Sequence, residues 1–270
     1  MDIRICLAGA TGHVGRELVK AIMASGDLTL AAAVGNKSAG QQLAAVIGEP
    51  RVDIPVHSSV ADALKAAPCD VFIDYTRPDT VKENVRAAIA AGCHAVIGTS
   101  GLTDADYADI ERWALEKGVG VFAAGNFSVT AALLQHFAVE LAPRLPHWEI
   151  LDYASDTKTD APSGTTRELA YQLSQVAKPE WAVPVAATQG MKDARGATLN
   201  GSQIHSIRVP GFYSAVEAIF GGAGERLELR HESNSYAPYV TGTLLAARKI
   251  QEFKGLKRGM SFLLGLTSQA

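Results

Sequence analysis

Ile3-Arg4-Ile5-Cys6-Leu7-Ala8-Gly9-Ala10-Thr11-Gly12-His13-Val14-Gly15 is the stretch on which the fold turns. A short apolar run passes straight into glycines at 9, 12 and 15 and then into a pattern of helical length, so the segment reads as strand, tight turn and helix start. Glycines there permit the turn and let an anionic group approach the backbone, while the helix N-terminus offers free N–H groups and a partial positive charge. A glycine-rich turn needed only for strand–helix packing is the plainer alternative. Position decides between them. At the first βα turn of a chain such a loop is expected to hold the pyrophosphate of a dinucleotide, with Gly9, Thr11, Gly12, His13, Val14 and Gly15 in contact.

Outward from this loop, short apolar runs at 3–7, 28–34, 71–73, 94–97 and 119–123 alternate with helical stretches at 12–24, 61–67, 80–91 and 104–117. That alternation predicts repeated βαβ units on a parallel sheet of about five strands. The pattern changes after Ser128: a helix to about 142, a strand at 148–153, a polar loop, a helix at 165–177, three closely spaced strands between 203 and 232, and a last helix at 237–251. The expected fold is therefore α/β, a Rossmann-like doubly wound parallel sheet, followed by a smaller α+β domain on a mixed sheet. We place the dinucleotide-binding domain at 1–125 and the substrate-binding and oligomerisation domain at 126–236, with the segment 237–270 free to pack back on the first.

An NAD site usually carries an Asp or Glu at the end of the second strand, to bind the ribose 2′-hydroxyl. Between Asp27 and Glu49 this chain has no carboxylate; the strand ends in Val34-Gly35-Asn36-Lys37-Ser38. Asn36 and Lys37 suit a 2′-phosphate by hydrogen bonding and charge, so NADPH is expected in preference to NADH, with use of both left open. Lys37 as a solvated loop residue is the bland alternative.

Composition narrows the classes. Of 270 residues 47% are hydrophobic, enough for a substantial core, and 25 basic against 28 acidic residues give a net charge of −3, with no pull toward nucleic acid or anionic membrane. Cys6, Cys69 and Cys93 are odd in number and show no paired spacing, which suits a reducing compartment. The strand-like start leaves no room for a secretory leader, and no apolar run reaches membrane-spanning length; a cytoplasmic enzyme acting on a small molecule is expected. No His, Cys, Asp or Glu spacing resembles a metal site, so no metal is expected. His94, His147, His205 and His231 are as readily structural as functional.

Lys158-Thr159-Asp160-Ala161-Pro162-Ser163-Gly164-Thr165 lies between a strand and a helix of the second half. Ser163, Gly164 and Thr165 fall at the helix N-terminus, where hydroxyls and N–H groups form a nest for a carboxylate, and Lys158 upstream supplies charge or a proton. A capped helix beside a surface lysine is the alternative.

This loop resembles the substrate loop of the dihydrodipicolinate reductases. The glycine loop, Asp74-Tyr75-Thr76-Arg77-Pro78, Ile97-Gly98-Thr99-Ser100-Gly101, Asn126-Phe127-Ser128-Val129 and Ile204-His205-Ser206-Ile207-Arg208 follow the family's order over nearly the whole chain. The resemblance implies hydride transfer from the nicotinamide to a cyclic unsaturated imine dicarboxylate in the diaminopimelate route to lysine, by a homotetramer. It implies that Thr76, Gly98, Thr99 and Ser100 line the nicotinamide side, that Ala124, Asn126 and Phe127 cover the ring, and that Lys158 is the catalytic, proton-donating lysine. Ser155, Ser163, Gly164 and Thr165 would bind substrate.

Departures are as informative. Where most members carry His-His-Arg-His before the lysine, this chain has Ala154-Ser155-Asp156-Thr157; where they have Gly-Glu-His-Thr it has Ser214-Ala215-Val216-Glu217; and Gly125 replaces a proline. The imidazole role is gone from these positions. Two further readings follow: a reductase of a different imine or enoyl compound on the same scaffold, or a non-catalytic NADPH-binding sensor.

Overall fold

The computed structural model describes residues 2–266, and these divide into two compact units, 2–128 with Tyr236–Gly265, and Val129–Ser235. The first opens with β1 (Ile3–Ala8), α1 (His13–Met23), β2 (Leu28–Val34), α2 (Leu43–Ile47), β3 (Val56–His57), α3 (Val60–Ala66) and β4 (Val71–Asp74). It continues through α4 (Val81–Ala90), β5 (His94–Ile97), α5 (Asp104–Lys117) and β6 (Gly120–Ala123). The second holds α6 (Val129–Leu141), β7 (His147–Ala154), α7 (Gly164–Val176), β8 (Ala197–Leu199), β9 (Ser202–Arg208), β10 (Ser214–Gly222) and β11 (Glu225–Ser233). The chain then re-enters the first unit with α8 (Ala237–Lys249), β12 (Gly255–Arg258) and α9 (Met260–Leu263).

The first sheet runs β12-β6-β5-β4-β1-β2-β3, with every pairing parallel. Its central strands are apolar on both faces because helices cover both; β4 is buried at every position. Phe72, Val85, Ile89, Ile110 and Val121 pack one face against α3, α4 and α5. Local signals set the helix ends: Ser59 caps α3, and Thr103 and Asp106 form a reciprocal capping box on α5, which stops at Gly118 in the left-handed region. Strand order reverses between β1 and β4, so the ends of these two strands frame the crevice where doubly wound folds bind ligands.

Seven strands stand where about five were expected. β3 has only two residues, too few to show a period, and β12 follows the last long helix, over 130 residues after its neighbour β6 began. The first unit also runs past the Gly125-Asn126 break to Ser128, and it takes in 237–265; residues 267–270 of the expected returning segment lie outside the described residues.

The second sheet, β11-β10-β7-β9-β8, is mixed: β7 pairs parallel with β9 and antiparallel with β10. Alternation along β7 sends Trp148, Ile150, Asp152 and Ala154 to the inner face and Glu149, Leu151 and Tyr153 to the other. The inner face packs with Phe220, Leu169 and Leu173 as the core of this unit, under α6 and α7.

Candidate active site

Gly9 follows β1 with φ +82°, and a Cβ there would lie 2.2 Å from the Tyr75 carbonyl oxygen at the end of β4. A Cβ on Gly15 would lie 2.1 Å from the Gly9 carbonyl oxygen, so α1 can start this close to the strand end only as glycine. Gly12 precedes α1 in an extended conformation, with no side-chain cap and no acidic residue in the first turn. The first N–H groups of α1 are thereby left to an external acceptor. Arg16 locks the loop by donating to the carbonyls of Thr11 and Val46, at 3.0 Å each.

A cavity of about 300 Å³ opens beside this turn, lined by Gly12, His13, Val14, Gly15, Tyr75, Thr76, Pro78, Gly98, Thr99, Ser100 and Tyr236. Eight of the residues singled out from sequence thus share one wall. The others sit elsewhere. Thr11 packs at the end of β2, its Oγ1 3.3 Å from where a Cβ on Gly35 would be, and Asn36 and Lys37 lie exposed in the turn that follows. Ala124 donates to Ile97 O, the Asn126 side chain accepts from Ser128 N–H at 2.8 Å, and Phe127 is buried against Tyr75 and Phe122. Phe127 is therefore an interior ring, not a lid.

Tyr236 was not foreseen. It sits just before α8, stacks on His13 with centroids 5.2 Å apart and planes within 5°, and no motif marks it because its partner lies at the other end of the chain. Beneath the cavity, Asp74 is fully buried. Its Oδ1 accepts from Thr76 N–H (2.9 Å), Thr76 hydroxyl (2.7 Å) and Thr99 hydroxyl (2.6 Å), and its Oδ2 from the Asn84 amide (2.9 Å). Burial pushes this carboxyl up, against the lowering effect of Thr99, Thr76 and Asn84. Burial likewise raises the Tyr75 phenol, whose hydroxyl pairs with Thr243 at 2.6 Å.

In the second unit Ser163 caps α7, accepting from Thr166 N–H with its buried hydroxyl, so that hydroxyl is already engaged; Gly164 is exposed and Thr165 half-exposed at the first turn. Lys158 is ion-paired with Asp160 at 2.6 Å, and this holds the Asp160 carboxyl below the usual range. Ser155 turns back on its own loop, bonding Thr157 and Asp156. Ala154 is fully buried on the helix-covered face, which leaves no polar group where the family's first imidazole would stand.

Two residues hold this loop: Asp152, which no motif marked, and Arg208, which closed a matched motif without a role assigned to it. Asp152, buried on β7, accepts from Ser163 N–H (2.9 Å), Thr166 hydroxyl (3.0 Å) and Ser206 hydroxyl (3.1 Å) and pairs with Arg208 at 2.7 Å. Arg208 also donates to Asp160 O at 2.8 Å, and its Nε is buried without a partner. Both ends of the 160–166 loop are thus tied to one ion pair. Burial would raise the Asp152 carboxyl, but Arg208 and Ser163 together hold it below the usual range. On the opposite face Tyr153 donates to Glu217 at 3.0 Å, with Arg230 4.7 Å over its ring, so its proton is engaged away from Asp152 and Ala154.

Residues 3–127 match the family model for the N-terminus of dihydrodipicolinate reductase and residues 128–264 that for its C-terminus. The chain is 36% identical over 263 residues to a 4-hydroxy-tetrahydrodipicolinate reductase of Desulfitobacterium hafniense, spanning 97% of this chain and 98% of the relative. It is 37% identical over 261 residues to that of Syntrophomonas wolfei, with the same coverage. Among solved structures, a dipicolinate-bound dihydrodipicolinate reductase from Paenisporosarcina sp. TG-14 superposes with a TM-score of 0.86 at 30% identity, over 97% of this chain and 99% of that one.

Proposed function

The chain belongs to the dihydrodipicolinate reductase family and is an NAD(P)H-dependent oxidoreductase of the pathway in which its relatives act, and on that premise we propose a reductase of 4-hydroxy-tetrahydrodipicolinate that prefers NADPH. The observation that carries the substrate reading is the intact loop from Lys158 to Thr165, seated on the N-terminus of α7 by Asp152 and Arg208. The first turn of α7 at Gly164 and Thr165, with Lys158 nearby in the loop, suits a dicarboxylate. Lys158 serves as proton donor and Gly164 and Thr165 orient the substrate, while Ser163, bonded to Asp152 and Thr166, and Ser155, bonded to Asp156 and Thr157, shape the loop that presents them.

The glycine turn fits a pyrophosphate: side chains at 9 and 15 would collide with the Tyr75 and Gly9 carbonyls, so only glycine allows this tight turn, and the start of α1 carries neither cap nor acid. When bound, the dinucleotide supplies the hydride. Gly12 to Gly15 hold its phosphates, Thr76 with Gly98 to Ser100 flank the nicotinamide, and Lys37 and Asn36 favour the 2′-phosphate. The protein is read as cytoplasmic and homotetrameric. Among the described residues no helix is long and apolar enough to cross a membrane.

A second reading has its own support. Buried Ala154 and self-bonded Ser155 remove the imidazoles from the reacting end, which favours a different cyclic imine as substrate. Following NADPH oxidation by purified protein with the pathway intermediate, from acidic to alkaline pH, decides. Turnover that vanishes in Lys158→Ala supports the first reading; none at any pH hands the site to the second.

A further inference from the structure

Asp74 stands apart from the other buried acids of the two units. Asp152 has the guanidinium of Arg208, whereas every hydrogen-bond partner of Asp74 among the described residues is neutral: one backbone N–H, two threonine hydroxyls and one amide. A carboxylate enclosed in a core without a counter-cation is disfavoured unless something compensates it. Its two oxygens gather donors from two loops that line the cavity, Thr76 after β4 and Thr99 after β5, and from Asn84 on α4. It does not itself reach the cavity. Each hydroxyl has a single proton, and both give it to Asp74; Thr76 Oγ1 in turn accepts from the Thr80 hydroxyl (3.2 Å) and the Asn84 amide (3.3 Å), so the whole cluster is ordered around the carboxylate.

The position gives the charge a meaning. Asp74 ends β4 at the reversal of strand order, directly under the wall assigned to the nicotinamide. A nicotinamide ring is neutral when reduced and carries one positive charge when oxidised. An unpaired negative charge behind that wall therefore interacts differently with the two forms, and only such a difference can shift their balance.

We propose that Asp74 is a positioning residue with two effects: it fixes the Thr76 and Thr99 loops against each other, and its field stabilises the oxidised, cationic nicotinamide, making the bound reduced cofactor a stronger hydride donor. This rests on the cofactor reading above and is separable from it by binding alone, without turnover.

Dissociation constants for NADPH and NADP⁺ are measured by calorimetry on the full chain, for the wild type and Asp74→Asn. Removing the charge should raise the ratio Kd(NADP⁺)/Kd(NADPH) by about tenfold. A purely structural role would raise both constants together and leave the ratio unchanged, which overturns the field assignment. Thr99→Val is the matching control: it deletes one donor and keeps the charge, so both affinities fall while the ratio holds. Should Asp74→Asn fail to fold, Asp74→Ser removes the charge while leaving a small hydroxyl acceptor for the same donors, and an unaltered ratio there refutes the proposal equally. A wild type that binds neither nucleotide sinks the cofactor reading itself.

Discussion

Arg208→Leu tests what holds the substrate loop. The Arg208 side chain is 16% exposed and that of Asp152 only 1%, and the guanidinium makes four hydrogen bonds, to Asp152 Oδ2, Asp152 O, Asp160 O and Ile207 O. Leucine fills part of the volume and strands a buried carboxylate. Breaking a buried pair by deleting one partner costs about 3–5 kcal/mol. Asp152 keeps Ser163, Thr166 and Ser206 as donors, which places the loss near the lower end, about 3 kcal/mol. For a unit of this size that is a fall of roughly 10 °C in its unfolding transition, read by calorimetry.

The pH dependence has a definite sign. In the wild type the folded carboxyl of Asp152 is depressed, so its stabilisation is fully present above the unfolded value of about 4 and is lost as pH falls through the folded value. In Arg208→Leu burial dominates and the folded value rises above the unfolded one. The penalty is then present at neutral pH and relieved as pH falls toward about 4. The gap between the two proteins is widest near pH 7 and narrows on acidification. A loss under about 1 kcal/mol, or one that does not shrink with acid, would refute the buried-pair account.

Lys158→Ala should lower kcat strongly and raise KM, whereas Lys158→Arg should hold KM near wild type but stay poor in kcat, because a guanidinium does not release its proton; steady-state kinetics distinguish them, and a fully active arginine variant removes lysine as donor. With no histidine in the loop, the pH profile of kcat should show no limb in the imidazole range around pH 6–7. Lys37→Glu should weaken NADPH about tenfold and spare NADH in calorimetric titration, and equal losses for both would mean that Lys37 faces away from the 2′ position. Gly9→Ala combines a left-handed φ with a clash against Tyr75 O, so it should abolish nucleotide binding and destabilise the first unit by about 2 kcal/mol or more, measured by denaturant titration.

What the sequence determined by itself were features written within a few residues of one another. A strand running into Gly9, Gly12 and Gly15, a second strand ending without a carboxylate, and a lysine seven residues before Thr165 each state their chemistry locally, because turn geometry, helix N-termini and periodicity act over one or two helical turns. The loss of the loop imidazoles was equally legible, as a matter of which side chain stands at 154 and 155. The tertiary structure decided what those residues meet. β3 and β12 entered the sheet through pairings that no short window contains. Parallel register of β7 with β9 sets Asp152 opposite Ser206, which brings Arg208 within 2.7 Å across 56 residues of chain. Strand ends likewise gathered Thr76, Asn84 and Thr99 around Asp74, paired Lys158 with Asp160, and turned Phe127 inward. Hydrogen-bond partners and burial depend on distance in space, and a linear pattern encodes distance in space only where the chain is its own nearest neighbour.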